Sequence, residues 1–486
     1  MGRTVVKHAR ASALFGHLGA SNTLPPAATT PTARDRPSRW RRRQLSADVL
    51  SSLCVLSVAA AVALYLASGG ISQVKDVASA LTMAGIVAGL VGSDLVLVMM
   101  VLAARIPAID RTFGQDVAMA IHGRLGKPAF YLLLGHAALL TLGYAATDRT
   151  NVVAETVSLL ATEDLPLAYV GLGLLVVVIV TSVVTVRRRL PYEVWHVIHL
   201  LTYGAVLMAL PHQFSSGAVL GAGTAQRVYW IGLYVVAFGA IAYFRFALPL
   251  YRSVRHDIRV TAVEEIAPGV VSIHLGGRDL ERLQTAGGQY AVWRFWTRST
   301  WWHEHPISFS SVPTSTAARI TIRGLGAGSR SVGRVHPGTK VSFAGPYGIF
   351  TDRARTSPYL SVVAAGIGVT PVRSLLENSP VKPGEATVLL RASDESETYL
   401  WDEVFGLSQS MQAQVYWTLG KRPSGVDAWM SAEDHQRGVR LESVFPRLLD
   451  SDLYICGPRR WAELVLADAQ AAGLRPEQIH IERFDW

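Results

Sequence analysis

Apolar and polar positions divide this chain in two. Before Arg252 the apolar residues gather in runs of roughly 20, long enough to cross about 30 Å of hydrocarbon as helices. After it, charges are spread through shorter, alternating segments. The long runs fall near 46–68, 79–103, 128–148, 165–186, 194–211 and 228–250, which predicts six spans. From Ile258 short alternating stretches follow: Ile258–Val263, Val270–Leu275, Tyr290–Phe295, Arg319–Ile322 and Val341–Phe343, separated by turns rich in Gly and Pro. That rhythm predicts a small antiparallel barrel. After Ser357 it becomes strand, glycine turn, helix, the pattern of a parallel α/β sheet.

The fold class expected is therefore a multi-domain membrane protein. A disordered basic tail over 1–44 precedes a six-helix all-α transmembrane bundle over 45–252. An antiparallel β-barrel over 253–355 and a parallel α/β domain over 356–486 follow. The tail is rich in Ala, Pro, Thr and Arg and ends in Arg39-Trp40-Arg41-Arg42-Arg43, a composition that cannot build a core. A cleaved signal peptide is not expected, because the basic cluster and the first long apolar run come too late in the chain.

Composition narrows the chemistry. Only two cysteines, Cys54 and Cys456, occur in 486 residues, which rules out a disulfide framework or a four-cysteine iron–sulfur cluster within the chain. A redox metal must be held by other ligands. The net charge of +10 lies largely in arginine clusters beside apolar runs, so membrane lipid rather than nucleic acid is the expected partner. Lys and Arg number six in 34–43, four in 104–127 and three in 187–189, against single residues (Lys75, Arg149, Arg227) in the opposite loops. The positive-inside rule then puts the amino terminus in the cytoplasm, and six spans return the soluble half there.

The third and fifth spans run in the same direction and carry two histidines each: His122 and His136, then His199 and His212. The separations are 136 − 122 = 14 and 212 − 199 = 13 residues, roughly 20 Å at about 1.5 Å per residue. Each helix can thus offer one imidazole near either face, enough for two haems with both axial positions filled. Ionisable residues at this depth are costly, so isolated structural histidines are the weaker explanation. At about 100° per residue, 14 positions return to nearly the same face, but 13 leave His212 about 140° away from His199. Span five must be irregular, and Pro211 supplies a cause. His196, one turn before His199, is the alternative ligand. Asp94 in span two reads as a hydrogen-bonded structural carboxylate, with a proton relay as the other reading.

In the α/β half, the strand Leu360–Ala365 runs into Gly366-Ile-Gly368-Val-Thr370-Pro371 and a helix. Such glycines let the backbone approach a pyrophosphate at a helix amino end. Lys421 and Arg422 follow another strand and suit a ribose 2′-phosphate, which favours NADPH with NADH as the alternative; a solvated basic loop is the bland reading.

Over about 45–486 the chain resembles the ferric reductase and NADPH oxidase family, a haem-binding membrane domain fused to a ferredoxin-reductase-like flavin and nucleotide module. The resemblance rests on Arg111–Asp116 with His122-x-x-x-Gly126, Tyr192–His199 with His212, and His305-Pro306-Ile307-Ser308. It also rests on Gly345–Gly348, the Gly366 turn, Cys456-Gly457-Pro458 and Glu482-Arg-Phe484. It implies that 117–148 is one functional span bent at Pro128. It implies an FAD site at His305–Ser308, with the Ser308 hydroxyl near the reactive ring edge and Ser329 and Arg330 on the diphosphate. Cys456, Gly457 and Pro458 are implied to border the nicotinamide, and Phe484 to cover the flavin ring. Ile307 stands where the family usually has an aromatic residue. His305 stands where soluble ferredoxin reductases have Arg, which shifts diphosphate neutralisation toward Arg330. Arg124 reads either as a haem propionate partner or as a positive-inside anchor.

The expected function is electron transfer from cytoplasmic NAD(P)H through FAD, the inner haem b (His122, His199) and the outer haem b (His136, His212). The expected acceptor outside is oxygen or a ferric chelate. A reading from another class is a nucleotide-regulated transporter or sensor, which would hold no haem.

Overall fold

The computed structural model describes Lys7–His8 and residues 36–215 and 220–483. It forms two units, Ser46–Ala247 and a second made of Met1–Leu45 with Leu248–Trp486. In the first, six helices are long and apolar enough to cross a membrane: Trp40–Ala67, Val77–Ala103, Gln115–Thr147, Leu165–Ser182, Glu193–Ser215 and Ala225–His256.

Their elements are α1 (Arg36–Ala67), α2 (Val77–Ala103), the short α3 (Pro107–Phe113), α4 (Gln115–Thr147), the loop helix α5 (Val152–Leu160), α6 (Leu165–Ser182), α7 (Val184–Arg187), α8 (Tyr192–Met208), α9 (Leu210–Ser215) and α10 (Ala225–Ala240). A π-helical turn over Ile241–Ala247 carries α10 into α11 (Leu248–His256). The basic cluster ending at Arg43 lies inside α1, because a helix projecting from a membrane can continue with arginines in place of apolar residues. Expected disorder before it falls mostly outside the described residues; Lys7–His8 forms a two-residue strand, β1. The third span is a single helix from Gln115, thirteen residues earlier than its apolar run, and Pro128 lies inside it. Membrane helices tolerate such prolines where neighbouring groups satisfy the freed carbonyl.

The fifth span is broken, as its histidine spacing requires. α8 ends at Met208, Ala209 caps it, and α9 restarts at Leu210. Pro211 sits in the first turn of the new helix, where a missing N–H costs little. Asp94 in α2 is fully buried and accepts from Ser57 Oγ at 2.8 Å, while the Tyr229 hydroxyl donates to the Ser57 carbonyl at 3.0 Å.

In the second unit, β2 (Arg259–Ala267), β3 (Val270–Gly276), β4 (Tyr290–Phe295), β5 (His305–Ser311), β6 (Ala317–Arg323) and β7 (Val341–Tyr347) form an antiparallel sheet in the order β2-β3-β6-β5-β4-β7. Bonds from Val260 N to the Thr339 carbonyl and from Val341 N to the Ile258 carbonyl, both 2.9 Å, join its edges into a barrel. Ile273, Trp293, Phe295, Phe309 and Ile320 fill the interior. Helix α12 (Ala327–Val332) lies between β6 and β7 in the chain.

The remainder is a parallel sheet: β8 (Tyr359–Ala365), α13 (Val369–Glu377), β9 (Ala386–Ala392), α14 (Trp401–Ser410), β10 (Gln414–Leu419), β11 (Ser451–Gly457), the helix Arg459–Ala471 and β12 (Ile479–Arg483). The strand order is β1-β10-β9-β8-β11-β12, with β1 alone antiparallel. An ion-pair cluster ties the barrel to this sheet. Arg319 on β6 grips Glu403 on α14 with bonds of 2.8 and 2.7 Å, and Arg373 on α13 reaches the same carboxylate at 2.8 Å. Burial alone would raise the Glu403 carboxyl, but the two guanidiniums outweigh it and hold it below its ordinary range.

Candidate functional site

In the membrane unit the four histidines form two facing pairs. The His122 and His199 ring centres lie 6.0 Å apart, and those of His136 and His212 lie 6.4 Å apart. Two imidazoles on opposite sides of one metal, each bonded at about 2 Å, place their ring centres about 6 Å apart. The pairs therefore fit a haem iron each. Among the described residues no group of three or more His, Cys, Asp or Glu side chains is placed to hold a metal, and a porphyrin, which brings four nitrogens of its own, needs only two protein ligands.

The ring orientations come from α2 and from a small aromatic cluster. His122 Nδ1 lies 3.0 Å from the Met99 carbonyl and His136 Nδ1 lies 2.9 Å from the Gly85 carbonyl. A carbonyl only accepts, so each Nδ1 carries the proton and the neutral ring keeps its lone pair on Nε2, the nitrogen left for iron. Glycine at 89 makes the approach of His136 possible, because a Cβ there would stand 2.4 Å from His136 Nδ1. His199 stacks on Trp195 with ring centres 5.0 Å apart, Trp195 Nε1 donates to Ser182 Oγ at 3.2 Å, and the Arg187 guanidinium covers that indole at 4.5 Å. His199, not His196, is thus the fifth-span ring that faces His122.

In the barrel, His305, Pro306, Ile307 and Ser308 lie on β5, paired with β4 through Trp293↔His305, Val292↔Pro306, Ala291↔Ile307 and Tyr290↔Ser308. Sequence patterning missed this strand because a proline sits at its second position. His305 Nε2 and Ser308 Oγ are both buried without hydrogen-bond partners, and buried polar atoms of this kind call for a ligand. Burial, with a smaller push from His303, brings the His305 imidazole down to about 4, so it is neutral at pH 7. Gly328 in α12 packs against His305, with a Cβ position 3.2 Å from the His305 Cε1 atom. The same short helix carries Ser329, whose Oγ caps the Gly326 amide at 3.0 Å, and the exposed Arg330. The open oxygen and nitrogen on β5 beside this basic helix suit a flavin and its diphosphate.

In the parallel sheet, β8 leads into a 3₁₀ turn over Gly366–Gly368 and then α13. Gly366 has φ +53°, and a Cβ on Gly368 would stand 2.3 Å from the Cys456 carbonyl oxygen. The turn is thus pressed against the end of β11, with Thr370 and Pro371 buried in the first turn of α13. Thr370 Oγ1 donates to the Ile367 carbonyl. The Cys456 thiol is buried, and burial with the nearby Glu482 pushes it well above its ordinary range, so it packs as a neutral group. Gly457 lies against the Trp461 ring, and Pro458 caps the following helix. Phe484 lies outside the described residues.

Lys421 and Arg422 are exposed just beyond β10. Sequence reasoning missed a third cation beside them. Arg391 at the end of β9 is buried, and its guanidinium donates to the Gly420 carbonyl at 2.8 Å and to Ser393 Oγ at 2.9 Å, while its Nε has no partner. The signal was an arginine inside an otherwise apolar strand.

A six-helix bundle with two histidine pairs, followed by a barrel and a parallel sheet with a glycine turn, defines a multi-pass membrane oxidoreductase with a flavin and nicotinamide module. Residues 88–210 match the family described as ferric reductase like transmembrane component. The chain is 30% identical over 171 residues to ferredoxin–NADP reductase B of Sorangium cellulosum, covering 33% of this chain and 68% of the relative. It is 24% identical over 205 residues to a flavohemoprotein of Xylella fastidiosa (strain 9a5c), covering 40% of this chain and 50% of that protein. The chain therefore spans about half the length of that relative. Among solved structures, the flavohemoglobin of Malassezia yamatoensis aligns at 17% identity and TM-score 0.40, covering 82% of this chain and 96% of that one. The FAD/NAD-binding domain of a Vibrio cholerae nitric oxide dioxygenase aligns at 20% identity and TM-score 0.37, covering 47% and 99%. The chain is a ferric-reductase-like fusion: a ferric-reductase-like transmembrane component joined to a module of the ferredoxin–NADP reductase family.

Proposed function

We propose that this protein carries electrons across the membrane, from NAD(P)H at its soluble module to a small one-electron acceptor, oxygen or a ferric chelate, on the opposite side. The observation that carries this reading is the pair of ring separations, 6.0 and 6.4 Å, between α4 and the fifth span. Bound FAD would supply the conversion from the two-electron chemistry of a nicotinamide to the one-electron chemistry of b-type haems.

The chain's own residues bind and orient. His122 with His199, and His136 with His212, would hold the inner and outer haem; the Met99 and Gly85 carbonyls keep Nε2 of the α4 histidines unprotonated. Ser308 Oγ, buried with no other partner, is free to donate at the reactive edge of the flavin. Neutral His305 would donate to the flavin without adding charge, which leaves Arg330 to neutralise the diphosphate. The Gly366–Gly368 turn admits the nicotinamide nucleotide's pyrophosphate, and Lys421 and Arg422 with Arg391 take the 2′-phosphate, favouring NADPH over NADH. By the positive-inside rule the arginine clusters favour both termini in the cytoplasm, where reduced nicotinamide is available, and suit lipid headgroups rather than nucleic acid.

Proteoliposomes with the soluble module outward and a trapped acceptor test this. External NADPH should reduce enclosed ferric chelate or generate enclosed superoxide, sensitive to superoxide dismutase inside the vesicle. NADPH oxidation without any change in the enclosed acceptor would overturn it.

A further inference from the structure

We infer that Gln213 is a positioning residue for the outer histidine pair, fixing the short helix that presents His212 by clasping it to α10. The inference rests on the haem reading proposed above.

Three of the four histidines have a ring-fixing neighbour: a carbonyl for His122 and His136, and the Trp195–Ser182 cluster for His199. His212 differs. The Ala209 carbonyl lies close to its ring, yet its buried Nδ1 completes no hydrogen bond. Nor does an unbroken helix hold it, since α9, described over Leu210–Ser215, is cut from α8 at Ala209. The placement of His212 therefore depends also on what anchors α9.

That anchor is the next residue. Gln213 Oε1 accepts from Trp230 Nε1 at 2.6 Å, and the Tyr234 hydroxyl lies against the same amide, 3.1 Å from Oε1 and 3.0 Å from Nε2. Trp230 and Tyr234 are four residues apart on one face of α10 and both are buried. Phe214 adds a second hold, because the Arg227 guanidinium of α10 covers its ring at 5.1 Å. In a water-poor interior a primary amide that satisfies two buried donors specifies one placement, and losing it leaves those donors unpaired. Residues that orient a metal ligand without touching the metal typically alter its affinity by about 10–100-fold.

The test uses full-length protein in nanodiscs, with haem per chain measured by pyridine haemochrome and the haems resolved by potentiometric titration. Gln213→Leu should drop the haem content from two toward one per chain and leave the wave that also survives in His212→Leu, with FAD content unchanged. Gln213→Glu, which keeps an acceptor oxygen for Trp230 and Tyr234, should retain both haems. Two haems with unshifted potentials in Gln213→Leu would overturn the inference, as would equal loss of both haems. Wild-type protein lacking haem would overturn the underlying reading as well, so the two failures are distinguishable.

Discussion

His122 on α4 and His199 on α8 present their rings 6.0 Å apart, although His196 lies one helical turn away on the same segment. His199→Leu should therefore remove one haem per chain, whereas His196→Leu should keep both. Haem quantified against protein in each purified variant decides between them, and retained haem in His199→Leu would transfer the ligand role.

The glycine turn predicts a graded pair of substitutions. Gly368→Ala places a methyl 2.3 Å from the Cys456 carbonyl oxygen, and backbone at that distance must shift. The cost should be about 1–3 kcal/mol, as for overpacking elsewhere. Gly366→Ala meets open space but keeps φ +53°, so it should cost only about 1–2 kcal/mol. Thermal unfolding followed by flavin fluorescence gives both values, and the order of the two variants is the critical outcome.

Lys421→Ala with Arg422→Ala should raise the KM for NADPH about tenfold, the loss of roughly 1.4 kcal/mol of binding, and leave that for NADH nearly unchanged. Equal effects on both nucleotides would assign the two cations to the solvated loop instead.

His305 gives a pH dependence whose sign is fixed. Its folded value is about 4 against an ordinary 6.5, so the unfolded chain binds the proton more readily. The stability this neutral imidazole contributes is present above pH 6.5 and is lost as pH falls from there through about 4. Acid unfolding of the flavin module in His305→Gln should be less steep over that interval than in the wild type. An identical profile would show that His305 does not carry it.

Much of this architecture is legible in the sequence. The six spans follow from apolar runs, and the break at Ala209 was demanded by the spacing of His199 and His212, though Pro211 marks the restart of the helix rather than its end. The start of the third span was not legible from hydropathy, because Gln115–Lys127 is polar enough to resemble a loop while folding as helix. β5 was hidden by Pro306, whose strand pairing depends on partners far away in the chain. Arg391 stood out only as an arginine in an apolar strand and Gln213 not at all: their meaning lies in the Gly420 carbonyl and in Trp230 and Tyr234, contacts that only folding creates.

Everything proposed for the membrane unit requires that each histidine pair hold one haem. The most direct measurement is the haem content and low-temperature spectrum of protein expressed with haem supplied, before and after anaerobic NADPH and FAD. Two low-spin haems per chain are expected, both reduced once NADPH and FAD are present. Protein without iron porphyrin, or with haem that NADPH and FAD leave oxidised, would contradict it.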